Sequence, residues 1–307
     1  MRCLAEKGDV RKLDQTRRKL IVKANNEYQV EYKHVIKEAG LAKKASERVC
    51  ADALRSQGVA FRTPRQKIGI SEADAKVRLA KGKVWLKRPT KYWSTKVHAY
   101  CDAKSFPLPL TPAQRIRFRQ TLITGHLRKP GEGCDKGFTK SRQKHSFLGM
   151  PSVTISAAVA KDKVIQWHEV TGNWNGAAAK AMYEDLKPAL VKTWGKRSRY
   201  TIVEDGDRKG NRSGKGIKAK ALAHIHAQTL PPRTPSLMPL DYSIWTAIIK
   251  KVVQSAPKRT ETKAEFLARL RKVAMNLPKG YVKSVIARMR GNIKALVDAQ
   301  GWIPKND

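Results

Sequence analysis

Three aspartates stand where a fold could gather carboxylates. Asp102 closes a β-rich run over Lys96–Cys101, and Asp205 closes a second run over Arg199–Glu204. Asp241 falls in the first turn of a helix that follows the proline-rich turn Pro231–Pro239. Carboxylates at the ends of paired strands, faced by a third on a helix, cannot all stay ionised without a counter-charge. An all-oxygen set of this kind suits a hard divalent cation, Mg²⁺ or Mn²⁺. Two such ions about 4 Å apart activate a water or a 3′-hydroxyl and stabilise the leaving oxygen of a phosphodiester. Spacing alone leaves a second reading open, in which the three aspartates are caps and turn formers.

The other chemistry-bearing residues point to less. Asp207 is a substitute ligand for Asp205, but it lies beyond the strand end. His224 and His226 alternate on an expected helix without partners at zinc spacing, so they read as surface or packing residues. The glycine-rich run 209–216 lacks the order of a phosphate-binding P-loop, so no nucleotide cofactor is expected. The cysteines (Cys3, Cys50, Cys101, Cys134) are scattered with no close pair, which fits reduced thiols rather than a disulfide framework or a zinc ribbon. The seven tryptophans read mostly as core.

Elements that could position the aspartates follow from the apolar pattern. Ser152–Ala160 and Lys163–Val170 are β-rich runs joined by Lys161-Asp162, a hairpin signal. Asn175 can cap a helix to Trp194 on which Met182, Leu186 and Leu190 share a face, with Pro188 expected to kink it. A helix over Ile217–Ala227 and a short strand at Gln228–Leu230 come next, then a helix over Leu240–Val253. Two basic amphipathic helices fill Thr260–Gly301. The order of strands and helices fits an α/β ribonuclease-H-like catalytic domain at 96–255. It contains a basic insertion at 103–151 with ten Lys/Arg against Glu132 and Asp135. A connecting helix and linker span 68–95, and 256–307 is a basic helical tail.

Residues 1–67 read as an all-α helix-turn-helix domain with a basic arm. Glu27–Ala39 ends at Gly40, and Lys44–Gln57 ends at Gly58. Val59–Phe61 could be a short wing, and the arm from Arg62 suits a minor groove.

The charge balance narrows the partner. Lys plus Arg is 64 against 25 Asp plus Glu, a formal net charge of +39, which makes a polyanion the default partner. At 41% hydrophobic residues the chain is too apolar for a disordered basic tail. No segment has the length of a membrane span or the core of a signal peptide, so neither secretion nor membrane association is expected.

Two local patterns are more specific. Val203-Glu204-Asp205-Gly206-Asp207-Arg208-Lys209-Gly210 resembles the strand-end Q-D-N-x-P-x-H motif of mariner-type transposases. The run from Pro231 to Trp245, PPRTPSLMPLDYSIW, resembles their P-x-x-S-P-D-L-N-P-x-[DE]-x-x-x-W motif. Between Asp205 and Asp241 lie 35 residues, an interval similar to the family's. Departures are Gly206 for Asn, Gly210 for His, Ser236 for Asp and Met238 for Asn, and one helix-turn-helix unit where the family usually has two.

The resemblance implies a DNA transposase of the mariner branch. Asp102, Asp205 and Asp241 would be its catalytic, metal-binding triad for Mg²⁺ or Mn²⁺, two ions expected. The partners implied are double-stranded DNA (terminal inverted repeats and target) and a second copy of the chain, with a nuclear location in a eukaryotic host. DNA contacts would come from Lys43, Lys44, Ser46, Arg48 and Arg55 around the recognition helix. The arm would add Arg62, Arg65 and Lys67, and the insertion Arg115, Arg117 and Arg119. A second reading keeps the fold but loses the chemistry: a decayed or repurposed transposase that only holds DNA, toward which Ser236 and Met238 lean. A structural RNA or chromatin protein would have no use for the 231–245 motif.

Overall fold

The computed structural model describes residues 47–56, 58–62, 65–66, 70–120, 126–128, 139–140, 150–257 and 259–303. The chain divides into two compact units. One is Gly69–Thr111 with Gly149–Asn306; the other is Met1–Ile68 with Pro112–Leu148 and the terminal Asp307.

In the latter unit, a helix spans Glu47–Ser56 with Leu54 buried, and Gly58 closes it by donating its N–H to the Arg55 carbonyl at 2.8 Å. Strand Ala60–Arg62, near the expected wing, pairs antiparallel with His126–Arg128. Arg65–Gln66 pairs in parallel with Thr139–Lys140, so the basic arm carries strand pairing with the insertion. A further helix spans Pro112–Gln120. The first helix of the expected helix-turn-helix, and Lys43, Lys44, Ser46 and Lys67, lie outside the described residues.

The larger unit is built on five strands: β1 (Ala99–Pro107), β2 (Ser152–Ala160), β3 (Lys163–Val170), β4 (Tyr200–Glu204) and β5 (Ile225–Thr229), in the order β3-β2-β1-β4-β5. β1, β2 and β3 are antiparallel neighbours, while β4 and β5 run parallel to β1. The succession of strands and helices along the chain is the ribonuclease-H-like one expected from the sequence; the order within the sheet comes from the structure. β2 is almost wholly buried, which fits its near-continuous apolar run SVTISAAVA. Lys161 takes a left-handed conformation in the β2–β3 turn (φ 54°). Its ammonium bonds the Thr193 carbonyl at 2.7 Å and covers the Trp194 ring, which rewards a lysine there.

The helices are α1 (Glu72–Leu86), α2 (Gly176–Trp194), α3 (Gly214–Leu222), α4 (Trp245–Gln254), α5 (Lys263–Met275), α6 (Tyr281–Ala287) and α7 (Met289–Asp298). Asn175 caps α2 by accepting from the N–H groups of Ala177 and Ala178. Ala179, Met182, Tyr183, Leu186 and Leu190 then form one helical stripe against Ala99, Cys101, Ala158, Tyr200 and Ile202 of the sheet. Each large apolar side chain so buried contributes roughly 1.5–3 kcal/mol before entropy is counted. Pro188 sits inside α2, which is assigned as one continuous helix from Gly176 to Trp194. α1 lies close on α7: a Cβ at Gly82 would stand 2.9 Å from Val297 Cγ2, so only glycine allows the approach.

Several boundaries differ from the sequence reading. β1 does not stop at Asp102 but continues to Pro107, because Lys104, Ser105 and Phe106 pair with Ile155, Thr154 and Val153 of β2. α1 includes Val84-Trp85-Leu86. α3 ends at Leu222, and His226 lies on β5, because Ile225–Thr229 pairs with Tyr200–Glu204. The apolar spacing of KALAHIHA suits both periods, and this pairing decides between them. Of the two helices expected in Thr260–Gly301, the second is broken into α6 and α7.

Candidate active site

Register brings the first two aspartates together. β1 and β4 are parallel with Cys101 opposite Glu204, so the next step places Asp205 beside Asp102. Side chains alternate across a sheet. Cys101 and Glu204 therefore turn toward α2 and α3, and Asp102 turns to the opposite face. Cys101 packs into the α2 core, and burial together with Glu204 and Asp102 pushes its thiol pKa well up, so it is inert.

The third aspartate comes from the proline-rich segment. Thr234 accepts from Leu237 N–H through its carbonyl at 3.0 Å, and its hydroxyl donates to the Pro231 carbonyl at 2.5 Å. Leu237, Met238 and Leu240 are fully buried, so the family-atypical Met238 serves as core. Asn292 holds the Ser236 carbonyl at 2.9 Å. A turn of π-helix, Leu240–Ile244, follows and leads into α4. Leu240 and Ile244 anchor it inward, and Tyr242 donates to the Val285 carbonyl at 2.6 Å. This turn brings Asp241 near Asp102, close enough for the two carboxyls to act on each other electrostatically. Trp245, the last residue of the motif, donates its indole N–H to Asp102 Oδ2 at 2.7 Å. The indole is locked by Phe106 and Trp167, with ring centroids at 5.6 and 6.1 Å.

Burial, and then the Asp241 charge, push the Asp102 carboxyl up to about 7, against the pull of Trp245, the Ala103 N–H and Lys104. Asp241 is also raised, first by burial and further by Asp205, while Lys104 opposes the rise. Two half-buried carboxyls that repel each other hold their protons more tightly, which leaves the pair short of positive charge. Asp205 is exposed, and its Oδ1 accepts the N–H of Gly206 at 2.6 Å. Asp102 and Asp205 border one cavity of about 370 Å³, with Trp174, Asp207 and Asn211 on its wall. Among the described residues no three His, Cys, Asp or Glu side chains close on a common point at metal-binding range. The donors nonetheless fit a hard divalent cation in kind: two neighbouring carboxyls whose proton affinity burial raises, and a third, Asp205, that acts on Asp241 from the next strand.

Asp207 is occupied elsewhere. Its Oδ2 accepts from Gly210 N–H at 2.5 Å and from Trp174 Nε1 at 3.0 Å, so it braces the turn after β4. Trp85, Trp93 and Trp245 are core, whereas Trp302 is exposed. Of the expected DNA contacts, Arg48 and Arg55 are exposed on their helix, and Arg55 pairs with Asp52 at 2.8 Å. Arg115 is half-buried, and Arg117 and Arg119 lie on the same helix, Pro112–Gln120. Arg62 and Arg65 are on strands.

Sequence reading missed the polar network beneath Asp205. Glu204 is 1% exposed and paired with Lys220 of α3, and it accepts the Tyr183 hydroxyl of α2 at 2.5 Å. A glutamate as the last residue of a buried strand, in a chain poor in acids, was the available signal.

No protein-family model matches the chain, and no curated protein matches it in sequence. Solved structures do match. The Mos1 transposase paired-end complex with left transposon end has a TM-score of 0.60 at 12% identity, over 94% of this chain and 80% of that one. The catalytic domain of Mos1 mariner transposase gives 0.57 at 11%, over 79% and 99%. The Mos1 mariner paired-end complex with Mn gives 0.57 at 13%, over 95% and 80%. At such identities the likeness is one of fold: the chain has the fold of a mariner transposase.

Proposed function

We propose that the protein is a mariner-like DNA transposase that binds transposon-end DNA and cleaves and joins phosphodiesters with Mg²⁺ or Mn²⁺. The observation that carries this reading is the gathering of Asp102, Asp205 and Asp241 at one end of the sheet, by the β1–β4 register and by the proline-to-tryptophan motif whose Trp245 bonds Asp102. Asp102, Asp205 and Asp241 would hold the metal, which supplies charge neutralisation at phosphorus and an activated water or 3′-hydroxyl. The chain's own share is positioning. Trp245 fixes one oxygen of Asp102 and so sets the plane of its carboxyl. The rigid sheet and the buried anchors Leu240 and Ile244 hold two of the carboxyls at fixed places, which is where most of the rate of an in-line displacement originates. Lys43, Lys44, Ser46, Arg48, Arg55, Arg62, Arg65, Lys67, Arg115, Arg117 and Arg119 would contact DNA, and two copies would bring two ends together.

The test is nicking of duplex DNA by the purified chain in Mn²⁺, beside Asp205→Asn. Cleavage present in the natural chain and absent in the variant is expected. DNA binding whose affinity falls steeply with salt is expected of both. Salt-sensitive binding without cleavage in either protein would favour the DNA-holding reading. Affinity flat with salt would remove both.

A further inference from the structure

A buried pair of opposite charges is at best near break-even against apolar residues of the same shape. The Glu204–Lys220 pair beneath Asp205 therefore calls for a use other than stability. Glu204 ends β4 and is tied on every side. Its backbone carbonyl accepts Leu230 N–H at 2.8 Å, and its carboxylate takes Lys220 and the Tyr183 hydroxyl. The same phenol oxygen stands 3.1 Å from Asn211 Oδ1. Asn211 in turn donates its side-chain N–H to the main-chain carbonyl of Asp205 at 3.0 Å. Tyr183 is fully buried and Asn211 is 8% exposed, so the path is buried up to the wall of the cavity. It starts on two helices, passes under the sheet and ends on the backbone of the residue whose carboxylate faces the Asp102–Asp241 pair.

The turn has no room for another device at this place. A Cβ at Gly210 would lie 2.3 Å from Trp174 Nε1, and Asp207 is spent on Trp174 and on Gly210 N–H. A side chain at 210 is thus excluded, and the amide one position on takes hold of the turn.

We propose that Asn211, held by Tyr183 on the buried Glu204–Lys220 pair, is a positioning residue that fixes the Asp205 backbone and so the stance of its carboxylate toward Asp102 and Asp241. This rests on the function proposed above. The experiment uses the full chain, with Asn211→Ala, Tyr183→Phe, the double variant and Asp205→Asn. Mn²⁺ binding is followed by the paramagnetic resonance of the free ion, melting temperature is measured without metal, and cleavage is titrated with Mn²⁺.

Asn211→Ala and Tyr183→Phe should each weaken Mn²⁺ binding about tenfold, the usual size of an outer-shell effect. They should move the Mn²⁺ midpoint of cleavage more than its saturated rate. The double variant should be no weaker than the worse single one, because both cut one path. Tyr183→Phe keeps the ring and the packing, so it decides the matter should Asn211→Ala fold poorly. Unchanged Mn²⁺ affinity in a variant that melts like the natural chain, or fully additive losses, would overturn the proposal. If Asp205→Asn binds Mn²⁺ like the natural chain, or the natural chain binds none, the functional reading falls and this inference with it. Loss in Asp205→Asn alone removes only the inference.

Discussion

A buried and a half-buried acidic group, Glu204 and Asp102, sit one residue and one strand apart at the same end of the sheet, on opposite faces. Below it, Glu204 has a lysine, a phenol and a closed hydrogen-bond inventory. Above it, Asp102 has an indole N–H, a backbone N–H and a second carboxyl near it. Both carboxyls are raised by burial, but among the described residues only the lower one has a cation within bonding distance. In a chain with a formal charge of +39, leaving the upper pair without a contacting cation is not for want of lysines. The lower site is a finished structural joint. The upper one is short of positive charge, and in the proposed function a divalent cation would supply it. Position on the sheet is nearly the same, so the difference lies in what the helices bring to each face: Lys220 from α3 below, Asp241 from the π-turn above.

Substitution should separate the two faces sharply. Asp102→Asn or Asp241→Asn should lower metal-dependent cleavage by on the order of a thousandfold. In metal-free buffer at pH 8, the same changes should stabilise the fold by on the order of 1–2 kcal/mol, since they remove one of two repelling charges. Urea unfolding beside a nicking assay reads both, and a loss of stability would break the contrast. Below the sheet the sign reverses. Glu204→Gln, which leaves Lys220 buried without its partner, should cost about 3–5 kcal/mol, and adding Lys220→Met should recover much of it. Equal stability of all three proteins would mean the joint is loose.

A smaller effect lies in pH. Asp102 holds its proton up to about 7 in the folded chain and to the ordinary 3.8 when unfolded. Between those values the folded chain binds more protons, so this group makes metal-free stability fall as pH rises from about 4 to 7, with no further change above. Mn²⁺ competes with that proton, so its affinity should climb over the same range. Melting temperature against pH, with and without Mn²⁺, should show the two curves diverging; parallel curves would place the metal elsewhere. The smallest effect is expected of Trp245→Phe, which removes the bond on Asp102 Oδ2. Its pH midpoint for Mn²⁺ binding should move up by less than about one unit, within the scale of one hydrogen bond.

The β2–β3 hairpin, the α2 cap and the core stripe of α2 were legible because each is local: a period, a cap and a turn lie within a few residues. The ends of β1 and α3 were not, because a cross-strand partner 49 residues away for Ser105 and strand pairing for Ile225 outweighed local preference. Asp205 was legible as a strand-end acid and Asp241 as a helix-start acid, whereas Asp102 lies inside β1 rather than at its end. Their inequality was not legible: Asp102 and Asp241 act on each other, while Asp205 leans on Gly206.

By itself the sequence determined a strongly basic, folded α/β chain, the order of its strands and helices, and three acids in positions to meet. Those follow from composition and short-range periodicity. Only the tertiary structure decided that β1 lies between β2 and β4 in a register that puts Asp102 next to Asp205. Only it decided that a π-turn aims Asp241 and Trp245 at one carboxyl, and that a lysine, a phenol and an amide close the opposite face. Strand register and the meeting of side chains far apart in sequence depend on which apolar faces are buried together, a property of the whole packed unit that no local window contains.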